Sequence, residues 1–186
     1  RTNLASVILK MLGLGLGDMA NFPFVQAPDS RNINDGLTLL EELEAVKPTK
    51  RHQETRLTKS GMDLSRLPVD PRLAKMVLTA QKLGALREVI IIVAALSIQD
   101  PRERPQEKRA AANEKHGRFD DPDSDFIAFL NLWNYLEEQQ SELSNSQFRK
   151  LCQKDMLAYM RIREWQDIVY QLSTVCNEMG MKATTN

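Results

Sequence analysis

"RLPVDPRLAKMV", residues 66–77, decides how the chain divides. Asp70 can accept backbone N–H groups as a helix N-cap, and Pro71 suits the first helical position, where its missing donor would be unpaired anyway. Leu73, Met76, Val77, Ala80 and Leu83 then recur at helical spacing. A proline-stiffened joint followed by a buried helix is the direct reading, and it separates two differently patterned halves.

Upstream of the joint, Thr2 or Asn3 caps a first helix through Leu4, Val7, Ile8, Met11 and Leu12, which Gly13, Gly15 and Gly17 end. Asp29 or Ser30 caps a second helix through Leu37, Leu40, Leu43 and Val46, stopped by Pro48. Residues 47–59 are polar and basic without an apolar period, the composition of an exposed loop between two short strands. A short helix over 60–67 then reaches the joint. Helix, helix and basic hairpin outline a winged-helix module.

Downstream, the pattern is helical almost to the end. "LREVIIIVAALSI" (86–98) is apolar on all sides, so periodicity cannot separate a buried strand from a central helix; its length and paired alanines favour the helix. "PRERP" (101–105) makes a stiff turn, and 105–116 reads as a charged, alanine-rich surface helix. "RFDDPDSD" (118–125) caps a helix with an apolar stripe of Phe126, Ile127, Phe129, Leu130, Trp133 and Leu136. Ser144 or Asn145 caps the next, and a last helix carries Tyr159, Ile162, Trp165, Ile168, Val169 and Leu172 towards Gly180. The expected fold class is mainly α: a winged-helix domain over 1–67 with a small β-hairpin, and a helical bundle over 68–186.

The bulk composition limits the partners. With 186 residues, 42% of them hydrophobic, the chain can bury a substantial core. Acidic and basic side chains balance at 25 each, so attraction to nucleic acid must come from local clusters. One cluster is Lys47, Lys50, Arg51, Arg56, Lys59 and Arg66; another is Arg102, Arg104, Lys108, Arg109, Lys115 and Arg118. Both also fit solvated faces. Cys152 and Cys176 are too few for a disulfide framework or a four-thiolate zinc site, and they fit reduced, intracellular thiols. No run of apolar residues reaches membrane-span length, and the amino end, which lacks Met and starts directly on a helical pattern, suggests a piece of a longer protein.

No catalytic constellation emerges. "GLGLGD" (13–18) follows a helix instead of a strand and lacks the Gly-Lys-Ser/Thr of a phosphate loop. His52 and His116 lie in polar, basic stretches away from carboxylates or cysteines at ligand spacing, so both read as exposed imidazoles and no metal site is expected. Asp120, Asp121, Asp123 and Asp125 suit a helix N-terminus better than a calcium loop, because Pro122 interrupts them and the closing Glu is missing. The expectation for this chain alone is that it is not an enzyme.

The ordered set "RTNLASVILKMLGLG", "LTKSGMDLSRLPVDPRLAKMVLTAQKLG", "EVIIIVAALSIQDPRERP", "DSDFIAFLNLWNYL" and "MRIREWQDIVYQL" resembles the region after the two motor domains of DEAH-box ATP-dependent RNA helicases. "DPRERP" and "REWQDI" are closest to the bacterial HrpA type. The resemblance implies a winged-helix module joined to a ratchet, or helicase-associated, domain. It implies that ATP, Mg and all catalytic motifs belong to the motor domains, leaving no cofactor and no catalytic residue here. Its implied partners are single-stranded RNA and the two upstream motor domains of the same chain, in the cytoplasm, with no membrane contact and a monomeric fragment.

By the same resemblance, RNA phosphates are met by Ser97 at a helix end and by Arg102 or Arg104 in the loop after it. The chain departs from the family where many members read Asn-Phe-x-x-x-Arg before the last helix; here Asp155 to Met160 stand, leaving Arg161 and Arg163 as substitutes. Trp133, Trp165, Phe126 and Phe129 lie on apolar stripes and read as core. Two other functions fit parts of the pattern, a winged-helix DNA-binding regulator and a protein-interaction scaffold. Neutral charge and Glu41, Glu42 and Glu44 on the second helix disfavour the first.

Overall fold

The computed structural model describes residues 4–17, 19–48 and 54–182. Among them are nine α-helices: α1 (Ala5–Gly13), α2 (Ser30–Glu42), α3 (Lys59–Arg66), α4 (Pro71–Lys82), α5 (Leu86–Leu96), α6 (Arg109–Gly117), α7 (Asp125–Glu142), α8 (Asn145–Lys154) and α9 (Tyr159–Glu178). They fall into two compact units, 1–82 and 83–186.

In the first unit α1 packs on α2, α3 and α4. Ala5, Ile8, Leu9 and Met11 are its buried residues, and Leu39, Leu40, Leu64 and Val77 are buried on the helices it packs against. Gly15, at φ 70°, turns the chain out of α1 while the Leu16 amide closes on the Met11 carbonyl at 3.0 Å. Asp29 caps α2 by accepting the Arg31 amide, as expected. The helix stops at Glu42, well before Pro48, because Glu44 adopts φ 59° and turns the backbone away.

The expected wing is not formed as a β-hairpin. The described residues contain no strand, and in this unit an isolated antiparallel bridge joins Val46 and Leu57. Two backbone bonds flank it, Lys47 N–H to Arg56 O and Thr58 N–H to Ala45 O, each 3.0 Å. A single bridge fixes where the loop leaves and returns without building a ladder. Residues 49–53, including His52, lie outside the described residues, as do Thr2 and Asn3, the expected caps of α1.

At the joint, the Asp70 carboxylate accepts the Arg72 amide at 2.9 Å, and Pro71 opens α4. The buried face is Pro71, Ala74, Val77 and Ala80; Leu83 is 78% exposed. α4 packs on α3 and α1, and the first compact unit runs to Lys82.

In the second unit α5 is the central element, a helix with Ile90 to Ala95 all buried. It packs on α7 and α9. Trp165 of α9 is fully buried, meets Trp133 at 5.0 Å and Phe129 at 6.2 Å between ring centroids, and donates its indole N–H to the Ile91 carbonyl at 2.9 Å. Both tryptophans are therefore core, whereas Phe126 and Ile127 at the start of α7 are exposed. Ser124 caps α7, and Ser144 with Gln147 forms a capping box on α8. No helix among the described residues is long and apolar enough to cross a membrane.

Candidate nucleic-acid interface

The loop after α5 is held by its own sequence and by the turn before α9. Ser97, an exposed residue, caps α5 and donates its hydroxyl proton to the Val93 carbonyl at 2.8 Å. Asp100 precedes proline, which ends the helical path. Its Oδ1 accepts the Arg102 amide at 2.9 Å, a short side-chain turn that fixes 100–102. Glu103 N–H then donates to Met156 O, and Ala158 N–H to Pro101 O, both at 2.8 Å, around an antiparallel bridge between Arg102 and Leu157. Arg161, one turn into α9, donates to the Asp100 carbonyl at 3.0 Å.

These contacts sort the five sequence-assigned residues. Arg102 forks onto Asp100, Nε to Oδ1 at 3.0 Å and Nη2 to Oδ2 at 2.9 Å, while its guanidinium lies 4.8 Å from the Phe129 ring centre. Its side chain is 16% exposed. Arg161 is partly committed to the loop backbone. Arg104 and Arg163 are exposed and, among the described residues, form no salt bridge. Ser97, Arg102, Arg104 and Arg161 thus gather around one loop, and Arg163 follows on the same helix as Arg161.

Arg102 and Arg104 line a cavity of about 400 Å³ with Asp120, Asp121, Asp125, Ala128 and Phe129. Its charge is mixed. Asp121 is engaged locally, its Oδ1 accepting the Asp123 and Ser124 amides. Partial burial pushes the Asp100 carboxyl up, but the bonds from Arg102 and the nearby Arg104 charge outweigh that and hold it below its ordinary value. A cavity of about 700 Å³ lies elsewhere in this unit, lined by Leu86, Ile90, Trp133, Val169, Tyr170 and Met181 among others. None of the five assigned residues reaches it.

Behind the loop stands a polar network that sequence reasoning missed. His116 is 2% exposed, not the exposed imidazole expected from its basic surroundings. Its Nε2 lies 3.1 Å from both the Asp155 and Met156 carbonyls. Two acceptors require that Nε2 carry a proton, and among the described residues Nδ1 is buried without a hydrogen-bond partner. Asp155, 6% exposed, accepts the Tyr135 hydroxyl at 2.7 Å and meets Arg118 at 2.9 Å. Arg118 lies over the Phe119 and Tyr135 rings, at 4.7 and 4.6 Å. Lys115 adds a bond to the Lys154 carbonyl. The available signal was the spacing of Ala112 and His116, both on the inner face of α6.

Burial and then the Asp155 charge push the Cys152 thiol up to about 11, and burial also raises Cys176, so neither is an activated nucleophile. Among the described residues no three His, Cys, Asp or Glu side chains gather as metal ligands.

Residues 70–129 match the helicase associated domain (HA2), ratchet-like. This range begins at the N-cap of α4 and ends at Phe129, enclosing the whole Ser97–Arg104 loop. Nearly the whole chain is similar to one segment of HrpA-type RNA helicases. It is 62% identical over 97% of its length to the ATP-dependent RNA helicase HrpA of Escherichia coli, and 61% identical over 97% to the HrpA homolog of Haemophilus influenzae. The chain spans 14% of the length of each of these helicases. The match to HrpA thus covers both compact units, whereas the ratchet-like match covers α4 to the first turn of α7.

Proposed function

We propose that this chain is an accessory segment of an ATP-dependent RNA helicase that forms part of the channel for single-stranded RNA and couples motor-domain movement to translocation. The observation that carries this reading is 62% identity to HrpA across both units, together with the helicase-associated match enclosing the 97–104 loop. In this reading 68–186 is the ratchet domain, 1–67 is the preceding module, and ATP and Mg are bound by motor domains elsewhere in a cytoplasmic parent protein.

The RNA contact is made by Arg104 and Arg163, joined by Ser97 once its hydroxyl turns from the Val93 carbonyl, with Arg161 on the Asp100 carbonyl and Arg102 on the Asp100 carboxylate. Arginine forks and a hydroxyl suit phosphate oxygens, giving affinity and register without reading bases. Few contacts imply weak, salt-sensitive binding. Fluorescence anisotropy with a labelled oligouridylate tests this: binding that weakens steadily with added KCl is expected. Salt-resistant, sequence-specific binding to duplex DNA would favour a DNA-binding regulator instead, and no nucleic-acid binding would favour a protein scaffold.

A further inference from the structure

The Arg102–Asp100 pair has the geometry of a phosphate complex built from the protein's own groups. One guanidinium edge of Arg102, Nε and Nη2, is taken by one carboxylate, and a phosphate would be received through the same two parallel bonds. The two partners are anchored unequally. Arg102 is seated over Phe129 and 16% exposed, whereas the Asp100 side chain is 49% exposed. The backbone beneath them is held separately, through the Glu103–Met156 and Ala158–Pro101 bonds and through Arg161 on the Asp100 carbonyl. The Asp100 Oδ1 also accepts the Arg102 amide, so a departing carboxylate gives up the 100–102 side-chain turn, while these longer-range bonds keep the loop in place. Beside the pair lies the cavity that Arg104 shares.

We propose that Asp100 is a displaceable internal anion that occupies Arg102 when no RNA is present and yields it to an RNA phosphate when the strand enters. This rests on the RNA-binding reading above and adds regulation to it. Arg102 is a conditional contact, and Asp100 tunes affinity downward so that the strand is held but released. Asp100 is 49% exposed, so water competes for the carboxylate and lowers the cost of its exchange for a phosphate. The exchange also has an ionic signature. A phosphate that captures Arg102 releases a counterion, but the freed Asp100 takes one up, so the pair contributes little to the salt dependence.

Oligouridylate binding to the 186-residue chain, measured by anisotropy across a KCl series, tests this with three variants. Asp100→Asn should tighten binding by roughly 3- to 10-fold and steepen the log K against log[KCl] slope by about 0.7, the single-strand value for one phosphate contact. Adding Arg102→Ala to Asp100→Asn should abolish both effects. Asp120→Asn, which removes a charge from the same cavity without freeing Arg102, should leave the slope unchanged. A second measurement needs no substitution: the Arg102 Nε–H resonance of the native chain should shift on oligouridylate saturation.

An Asp100→Asn gain that persists without Arg102 would reduce the effect to through-space charge and overturn the exchange. So would RNA binding that leaves the Arg102 resonance unmoved. Failure of every variant to bind oligouridylate would overturn the RNA reading itself and the exchange with it. Thermal unfolding of each variant, followed through the buried Trp165, confirms that the compared chains are folded.

Discussion

His116 donates one N–H to two carbonyls, those of Asp155 and Met156, joining α6 to a turn 39 and 40 residues further along the chain. Met156 sits at φ 54°, and its carbonyl also receives Glu103 N–H, so the imidazole supports the turn on which the 100–104 loop is hung. His116→Phe keeps most of the ring volume but strips the donor and leaves the Asp155 carbonyl without that bond. An unsatisfied buried acceptor costs about 1–3 kcal/mol. Urea unfolding should show a loss of that size, and amide exchange should speed up at Glu103 and Ala158, the loop's two backbone bonds to the turn.

Cys152 makes the folded chain sensitive to alkali. Its thiol is raised from an ordinary value of 9.0 to about 11, by burial first and by Asp155 second. The folded state therefore holds its proton where the unfolded state has lost it, so stability is complete below pH 9 and falls as pH rises from 9 to about 11. The thiol contributes roughly 3 kcal/mol to that fall. Cys152→Ala should flatten the alkaline limb of a stability-against-pH curve by this amount. Tyr135, raised by burial and by its bond to Asp155, leaves a residual slope of the same sign.

Arg104 differs from Arg102 in having no carboxylate fork to leave. Arg104→Ala should weaken oligouridylate binding by a similar factor for every sequence tested and lower the salt slope by about 0.7, because one phosphate contact and its counterion are lost. Folding should change little, since the side chain is exposed and outside the core. A loss that depended on base sequence would mean that Arg104 reads bases instead of phosphates.

The joint at Asp70-Pro71 was legible because capping is local: a carboxylate next to a helix start needs no tertiary partner. The same holds for Asp29 and Ser144. Trp133 and Trp165 were legible as core from their helical spacing. The wing was not, because a basic, aperiodic stretch fits a hairpin and a loop pinned by one bridge equally well, and only pairing partners distinguish them. His116 was misjudged for a related reason. Its neighbours in sequence, Lys115 and Arg118, are polar, but its neighbours in space come from the 155–156 turn, which no local pattern reveals. The Arg102–Asp100 fork lay between residues two apart, yet its pull could not be read without knowing that Phe129 fixes the guanidinium.

Gly61 carries the sharpest steric prediction in the first unit. It lies in the first turn of α3, where Thr58 accepts its amide at 2.9 Å and sends its own hydroxyl proton to the Glu44 carbonyl at 2.6 Å. This capping residue draws the helix start against the 44–45 backbone. A Cβ on Gly61 would stand 1.9 Å from the Ala45 carbonyl oxygen and 2.7 Å from its carbon. The obstacle is backbone, and it cannot swing aside: Ala45 O accepts Thr58 N–H next to the Val46–Leu57 bridge. Gly61→Ala must therefore push α3 off this segment, at a cost of about 3 kcal/mol or more. Gly36→Ala is the matched control. Its Cβ would meet the far end of Ile8 at 2.8 Å and the Ala5 amide nitrogen at 3.0 Å, so a side-chain rotation removes the shorter contact, and the better helix propensity of Ala offsets part of the rest. Chemical denaturation of the two variants should rank Gly61→Ala as clearly the more damaging. Equal losses would show that the α3 start is not held against Ala45 as closely as Thr58 requires.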